Sequence, residues 1–278
     1  MGKNRFEKAL EMNDDDFVRL CGFAKNTMII MLAILREAYA AKHKRRGRHS
    51  KLDVADMLMM ACKYWREYVT FFSLANEFGV AESTAHGITV WVENVLIKSG
   101  KFGLPGKKLL TGEGLRVILV DVTESPVERP KRGQKRWYSG KKKRHTIKMQ
   151  IVICAATHKV IAIFVDCGST HDFKIWKKSI GVKVVKHINI KADSGYQGIK
   201  KLHSNSQTPK KKTKKEPLSK EEKASNRRLS SERVYVEHVN RWLKRLRIIA
   251  ERYRNRRRRY GLRLSLFCGL HNFELQAY

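Results

Sequence analysis

Residues 116–126 read RVILVDVTESP, and the first half of that stretch decides the fold. Val117, Ile118, Leu119 and Val120 form an unbroken apolar run that stops at Asp121. A strand with one face in water alternates apolar and polar residues, whereas a strand covered on both faces has no need to. The run therefore predicts a central strand flanked by other layers, with a carboxylate at its end. Weaker signals of the same kind follow. Ile147, Met149, Ile151 and Ile153 alternate with other residues, a turn follows at Thr157-His158-Lys159, and residues 160–165 make a second run, together predicting a hairpin. Residues 171–179 read as a short helix, and Ile188, Ile190 and Ala192 alternate again up to Asp193. The second half of the chain is thus α/β. If the strands ending at Asp121 and Asp193 are central and parallel, both carboxylates reach one edge of the sheet. Aspartates also cap strands and open turns for purely structural reasons, so neither residue alone is diagnostic.

Toward the N-terminus the pattern is helical. Asn13-Asp14-Asp15-Asp16 has the composition of a helix start, residues 27–41 form an apolar-rich helix, and Leu52, Ala55, Met59 and Cys62 recur at helical spacing. Between these helices lies a basic break, KHKRRGRHSK, at residues 42–51. Residues 70–92, TFFSLANEFGVAESTAHGITVWV, predict a helix over 71–78, a turn at Gly79 where a positive φ is tolerated, and a second helix opening at 81–84. Small Ala75 lets the two helices cross closely, with Val80, Ile88 and Trp91 toward the core. Ser83, Thr84 and His86 are then left exposed for a DNA major groove, and the basic break is available for phosphates. An ordinary helical hairpin would carry the same glycine; the basic context favours the helix-turn-helix reading. Residues 101–114, KFGLPGKKLLTGEG, read as a linker. The organisation expected is a helical region at 1–100, the linker at 101–114 and an α/β domain over 115–278.

Charge narrows the partner. The 278 residues carry 59 Lys and Arg against 26 Asp and Glu, a formal net charge of +33. So much self-repulsion suits a polyanion, of which nucleic acid is the commonest; with the helix-turn-helix reading, double-stranded DNA is the partner expected. A membrane surface would require an amphipathic or lipidated anchor, and neither is visible. A ribosomal or other RNA-binding protein is the remaining basic class, usually shorter and poorer in apolar strands. Cys21, Cys62, Cys154, Cys167 and Cys268 contain no CxxC pair, which argues for buried thiols rather than disulfides or a zinc ribbon. The N-terminus has no signal-like apolar segment, and the longest apolar run, near residues 28–35, is too short to span a bilayer. The expectation is a soluble intracellular protein: cytoplasmic and nucleoid-associated in a prokaryote, nuclear in a eukaryote.

The C-terminal third supplies further candidates. Residues 209–222, PKKKTKKEPLSKEE, read as a solvated loop. From Ser230 the chain turns helical, with Val236, Val239, Leu243 and Leu246 as the apolar stripe. Arg233, Glu237 and Lys244 share another face, which is either a solvated ion-pair face or the wall of a charged cleft. The tail at 252–260, RYRNRRRRY, mixes arginines with tyrosine. Breaking or transferring a DNA phosphodiester calls for two divalent metals roughly 3.5–4 Å apart. Such hard ions want oxygen ligands, so carboxylates at strand ends stand out in so basic a chain.

Four stretches carry a family resemblance: RVILVDVTESPVERP, YSGKKKRHTIKMQIVI, IKADSGYQG and SSERVYVEHVNRWLKRL. They resemble the transposases of the insertion-sequence-five group and the related Harbinger-type transposases. That family has a D-x-T-E first-acid motif, a basic Y-S-G-K-K-K-x-H-T-x-K hairpin, an A-D-x-G-Y-Q-G second-acid motif, and R-x3-E-x6-K around the third acid. The resemblance runs from about residue 50 to the C-terminus. Two positions depart from it: Ser230 stands where the family has a tyrosine, and Ser194 where a lysine is usual. The resemblance implies an RNase H-like mixed sheet flanked by helices. It implies that Asp121, Asp193 and Glu237 hold two Mg2+ ions per site, with Mn2+ as a possible substitute. Arg233 and Lys244 would grip phosphates near the transposon end, and Lys141, Lys142, Lys143, Arg254 and Arg257 would add backbone contacts. His238 and Asp172 are nearby polar residues to which the motifs give no role. The activity implied is metal-dependent cleavage at terminal inverted repeats followed by strand transfer, by a dimer or higher oligomer on DNA. The alternatives are a domesticated relative that only binds DNA, and a nuclease that cuts without joining.

Overall fold

Helix starts in the N-terminal third follow capping chemistry. Asn4, Asn13, Asp53 and Thr70 each accept a hydrogen bond from the backbone N–H three residues on, and each opens a helix. The computed structural model describes residues 4–44, 49–179, 184–212 and 217–276. Its helices are α1 (Arg5–Leu10), α2 (Asp14–Cys21), α3 (Lys25–Lys42), α4 (Val54–Glu67), α5 (Phe71–Phe78), α6 (Glu82–Lys98), α7 (Gln134–Trp137), α8 (Asp172–Ser179), α9 (Lys220–Lys244), α10 (Arg247–Ala250) and α11 (Tyr260–Glu274). Its strands are β1 (Val117–Pro126), β2 (Tyr138–Ser139), β3 (Arg144–Cys154), β4 (Val160–Cys167), β5 (Asn189–Ala192) and β6 (Ser206–Gln207).

The chain divides into two compact units. The first comprises Met1–Gly103, Leu243–Glu251 and Leu266–Tyr278. Its centre is α4, which packs against α1, α2, α3, α5, α6 and α10. Trp65 of α4 is fully buried and meets Phe23 and Phe267 edge-on, with centroids 6.2 and 5.5 Å away. Its indole N–H donates to Glu93 Oε1 at 3.1 Å, satisfying a donor that burial would otherwise strand. The C-terminal pieces are integral to this unit. Arg66 Nη1 donates to the Arg245 carbonyl at 2.7 Å, and Ala24 N–H to Glu274 Oε1 at 2.7 Å. Sequence patterning places these pieces in the 115–278 stretch; buried Phe267 and Leu246 draw them to the helical unit instead. All five cysteines are buried and free. No single helix among the described residues is long and apolar enough to cross a membrane.

The second unit, Leu104–Trp242 and Arg252–Ser265, holds the sheet. Strand β1 lies antiparallel to β3 from Ile118↔Cys154 to Pro126↔Thr146, and β3 lies antiparallel to β4. On its other edge β1 runs parallel to β5, which runs parallel to β6. The order is therefore β4-β3-β1-β5-β6, with β2 joining the start of β3. Three antiparallel strands followed by short parallel ones, with helices on both faces, is the RNase H-like α/β architecture. One face carries Ile118, Val120, Val152, Ile190 and Ala192 against Trp176 of α8 and Tyr196. On the other, the Tyr260 hydroxyl of α11 donates to Ser125 Oγ at 2.7 Å. Two faces covered is why the apolar run in β1 is unbroken. It also explains Lys148 and Gln150, which stand at the "other" positions of the β3 alternation yet are buried.

Helix α9 starts ten residues before Ser230. Ser219 Oγ accepts from Glu222 N–H at 3.1 Å and Glu222 Oε2 from Ser219 N–H at 3.0 Å, a capping box that ends the expected loop at Ser219. Asn226 further pins Lys210, donating to its carbonyl and accepting from its N–H, both at 2.9 Å. The middle of that stretch, residues 213–216, and residues 45–48 of the basic break lie outside the described residues.

Candidate functional site

The parallel pair β1/β5 builds the site. Val120 pairs with Ala192, so Asp121 and Asp193 are the next residues on neighbouring strands. Asp193 caps the short turn that follows β5, accepting from Gly195 N–H at 2.9 Å. Asp121 is held from α9: Arg233 Nη2 donates to its Oδ1 at 3.3 Å and Asn240 Nδ2 to its Oδ2 at 3.2 Å. Burial pushes the Asp121 carboxyl up to about 6; Arg233 pulls it down, while Asp193 and Asp172 push it further up. The phenol of Tyr196 beneath them is driven well above its ordinary value, first by burial and then by Asp121, Asp172 and Asp193. Its hydroxyl donates to Gln150 Oε1 at 3.2 Å, and Gln150 Nε2 to Ser179 Oγ at 2.9 Å, a fully buried relay under the carboxylates.

Glu237 stands apart. Arg233, Glu237 and Asn240 are spaced four and seven along α9, so they share a face, and its two outer members reach Asp121. Glu237 itself is exposed, with no hydrogen bond or ion pair among the described residues. Arg233, expected on DNA phosphates, lies on Asp121 instead, because a half-buried carboxylate is the strongest attractor within reach of its guanidinium. Lys244, the last residue of α9, is exposed and belongs to the first unit.

Two residues of the site have no role in the sequence motifs. Asn240 can be found from its helical spacing to Arg233. Asp172, at the first turn of α8, gives no signal beyond an acid near a helix start. Its Oδ1 accepts from Lys148 Nζ at 2.7 Å, and Lys148 Nζ stands 3.9 Å from Glu124 Oε1. A Cβ built on Gly195 would come 2.8 Å from Asp172 Oδ2 and 3.0 Å from Asp193 Oδ1, so these two carboxylates border one small cradle that only glycine leaves open.

A hard divalent cation fits this donor set. The groups are all oxygen acceptors, and Asn240 Oδ1 is buried without a hydrogen-bond partner among the described residues. As they stand, no three His, Cys, Asp or Glu side chains among the described residues close on one point. Magnesium tolerates that, since it commonly takes one or two carboxylates and fills its shell with water and substrate phosphate.

The expected DNA-facing residues divide between the two units. In the first, α5 and α6 flank Gly79, whose φ of +67° forms the left-handed cap. Ser83, Thr84 and His86 are exposed at the start of α6, as expected, and the His86 ring lies edge-on to Phe71 at 5.1 Å. Ile88 is buried, but Val80 and Trp91 are only half-buried; the core face of α6 is Ala85, Ile88, Val92 and Leu96. In the second unit, Lys141, Lys142 and Lys143 form the exposed turn between β2 and β3. Arg257 lies over the Trp137 ring at 4.4 Å and Arg254 is exposed, so the arginine tail and the base of the lysine turn share one basic, aromatic surface.

Residues 120–272 match the family described as DDE superfamily endonuclease, and residues 50–102 match the helix-turn-helix of DDE superfamily endonuclease. The chain belongs to the DDE superfamily endonucleases. It is 43% identical over 273 residues to the probable transposase for insertion sequence element IS702 of Microchaete diplosiphon, covering 98% of each chain. It is also 28% identical over 169 residues to the putative transposase for insertion sequence element IS112 of Streptomyces albus G, covering 60% of this chain and 61% of that one. The match over residues 120–272 begins one residue before Asp121 and includes Asp193 and Glu237.

Proposed function

We propose that this protein is the transposase of an insertion sequence of the five group, allied to the Harbinger-like enzymes. In this reading it binds terminal inverted repeats through α6, cuts DNA at the repeat end and joins the freed end to a target. The observation that carries the reading is that Asp121 within β1 and Asp193 directly after the parallel β5 follow the paired residues Val120 and Ala192 in an RNase H-like sheet, in a chain of net charge +33. Asp121, Asp193 and Glu237 would hold two Mg2+ ions. When bound, they supply activation of the attacking oxygen and stabilisation of the leaving one. The residues of the chain do the rest. Asn240 keeps Asp121 Oδ2 oriented. Arg233 exchanges its ion pair with Asp121 for a DNA phosphate, and Lys244, Lys141, Lys142, Lys143, Arg254 and Arg257 take further phosphates. Glu237 closes the site from its exposed position on α9. Water attacks phosphorus in line and the 3′ oxygen departs, taking up a proton and leaving a 5′-phosphate; that 3′-hydroxyl then attacks a target phosphodiester, its proton is lost to solvent, and the target's own 3′ oxygen is expelled as a hydroxyl, with no bond to the protein. Two ends must be handled together, so a dimer on DNA is part of the reading.

The test is a labelled duplex carrying the flanking inverted repeat, incubated with the protein and Mg2+ or Mn2+, beside Asp193→Asn. Cleavage at the repeat end and joined products, both lost in the variant while DNA binding persists, support the reading. Cleavage without joining identifies a nuclease. Tight binding without cleavage with either metal identifies a DNA-binding relative.

A further inference from the structure

Asp172 lies outside the expected triad, yet it is firmly built into the site. Its Oδ1 is committed to Lys148 Nζ at 2.7 Å. Lys148 is itself enclosed, its side chain 11% exposed, with the 8%-exposed Glu124 on its other side at 3.9 Å. Glu124 is fixed in turn, its Oε2 accepting from Thr146 Oγ1 at 2.7 Å. A largely enclosed lysine between an enclosed glutamate and a partly buried aspartate, its side chain 23% exposed, has a defined geometry, because each charge must stay where its partner is. The other oxygen of Asp172 is left over. Oδ2 accepts no hydrogen bond among the described residues and stands across the Gly195 cradle from Asp193 Oδ1, each within 3.0 Å of the point a Cβ would fill. The charges in this region do not cancel: Asp121, Asp193, Asp172 and Glu124 face Lys148 and Arg233. In a chain of net charge +33, this is a pit of negative charge.

We propose that Asp172 is a further carboxylate of the divalent-cation site, contributing Oδ2 beside Asp193, and that Lys148 is the positioning residue that holds it there. The inference rests on the reading of Asp121 and Asp193 as cation ligands. It makes the aspartate at the start of α8 a determinant of cation affinity. Groups that orient or supplement metal ligands commonly change affinity 10–100-fold when removed.

The test is Mn2+ binding to the full chain without DNA, read by electron paramagnetic resonance and calorimetry, so that no turnover is involved. Asp121→Asn and Asp193→Asn report on the underlying reading; Asp172→Asn, Asp172→Ser, Lys148→Arg and Lys148→Gln report on the inference. Each variant is first melted in EDTA, and affinities are compared between variants that melt no lower than the unmutated chain. Asp172→Asn is expected to bind Mn2+ roughly tenfold more weakly, with Asp172→Ser as the check if the first does not fold. Lys148→Arg is expected to stay close to the unmutated chain and Lys148→Gln to lose as much as Asp172→Asn. A double variant that combines Lys148→Gln with Asp172→Asn is expected to be no weaker than either single one, as for residues acting as a unit. Unchanged affinity in both Asp172 variants, with binding lost in Asp121→Asn, overturns the inference alone. Stronger binding in Lys148→Gln overturns the positioning role, since lysine would then compete with the cation. Unchanged affinity in Asp121→Asn and Asp193→Asn overturns the underlying reading.

Discussion

Replacing Asp121 by asparagine should stabilise the metal-free protein at neutral pH. Asparagine has the shape of the protonated acid, and the protonated form is what this environment favours. Burial, set against Arg233 and reinforced by Asp193 and Asp172, raises the carboxyl from an ordinary 3.8 to about 6. The folded state therefore binds more protons than the unfolded state between about pH 4 and 6, and stability contributed by this group falls as pH rises through that window. Above it the ionised carboxylate costs about 3 kcal/mol, since each tenfold change in proton affinity between the two states is worth roughly 1.4 kcal/mol. The side chain is 20% exposed, so solvent screening trims the expectation to about 2 kcal/mol. For a chain of this size that corresponds to a rise in Tm of roughly 4–8 °C. The assay is thermal unfolding of both proteins in EDTA from pH 4 to 8, at constant ionic strength. The two curves should coincide near pH 4 and separate toward pH 7, with asparagine above. Added Mg2+ should then raise Tm for the unmutated chain far more than for the variant, because a ligand stabilises only the state that binds it. An asparagine variant that is less stable at pH 7, or a difference that does not vary with pH, would refute the electrostatic account of this carboxylate.

Three further outcomes are expected. Changing Lys141, Lys142 and Lys143 together to alanine should flatten the slope of log K against log salt for duplex DNA by up to roughly 3, at about 0.9 per phosphate contact; an unchanged slope removes this turn from the DNA interface. Gly195→Ala places a Cβ 2.8 Å from Asp172 Oδ2 and 3.0 Å from Asp193 Oδ1, so cleavage should fall at least tenfold, by an order-of-magnitude argument from displaced ligands, with duplex binding unaffected. Gly79 and Gly269 should separate two kinds of glycine. Alanine at Gly79 meets nothing within 4 Å and carries only its φ of +67°, costing roughly 1 kcal/mol. Alanine at Gly269 would stand 1.8 Å from the Phe102 carbonyl oxygen and should cost more than the usual ~1–3 kcal/mol of overpacking, as chemical denaturation would measure.

What the sequence determined by itself was local or periodic. The unbroken run ending at Asp121 declared a doubly covered strand, Gly79 marked the turn between α5 and α6, and Asn13 marked the start of α2; each signal lies within a few residues of its effect. Asp193 does follow directly on the end of its strand, as the alternation up to it suggested, whereas Asp121, read as a strand end, lies inside β1, which pairs with β3 as far as Pro126. What only the tertiary structure decided depended on pairing between distant residues. Lys148 looks like one more lysine in a basic hairpin until α8 covers that face and brings Asp172 to it, 24 residues on. Arg233 carries no sign in the sequence of its contact with Asp121, 112 residues away in the chain. The early start of α9 hid in a lysine-rich stretch because composition outweighed the Ser219–Glu222 capping box. Likewise, the C-terminal segments around Leu246 and Phe267 join the helical unit only because Trp65 and Gly22 offer the apolar surface that buries them. Periodicity tells a residue which face it occupies; only the packed chain settles which charge, or which ring, stands opposite.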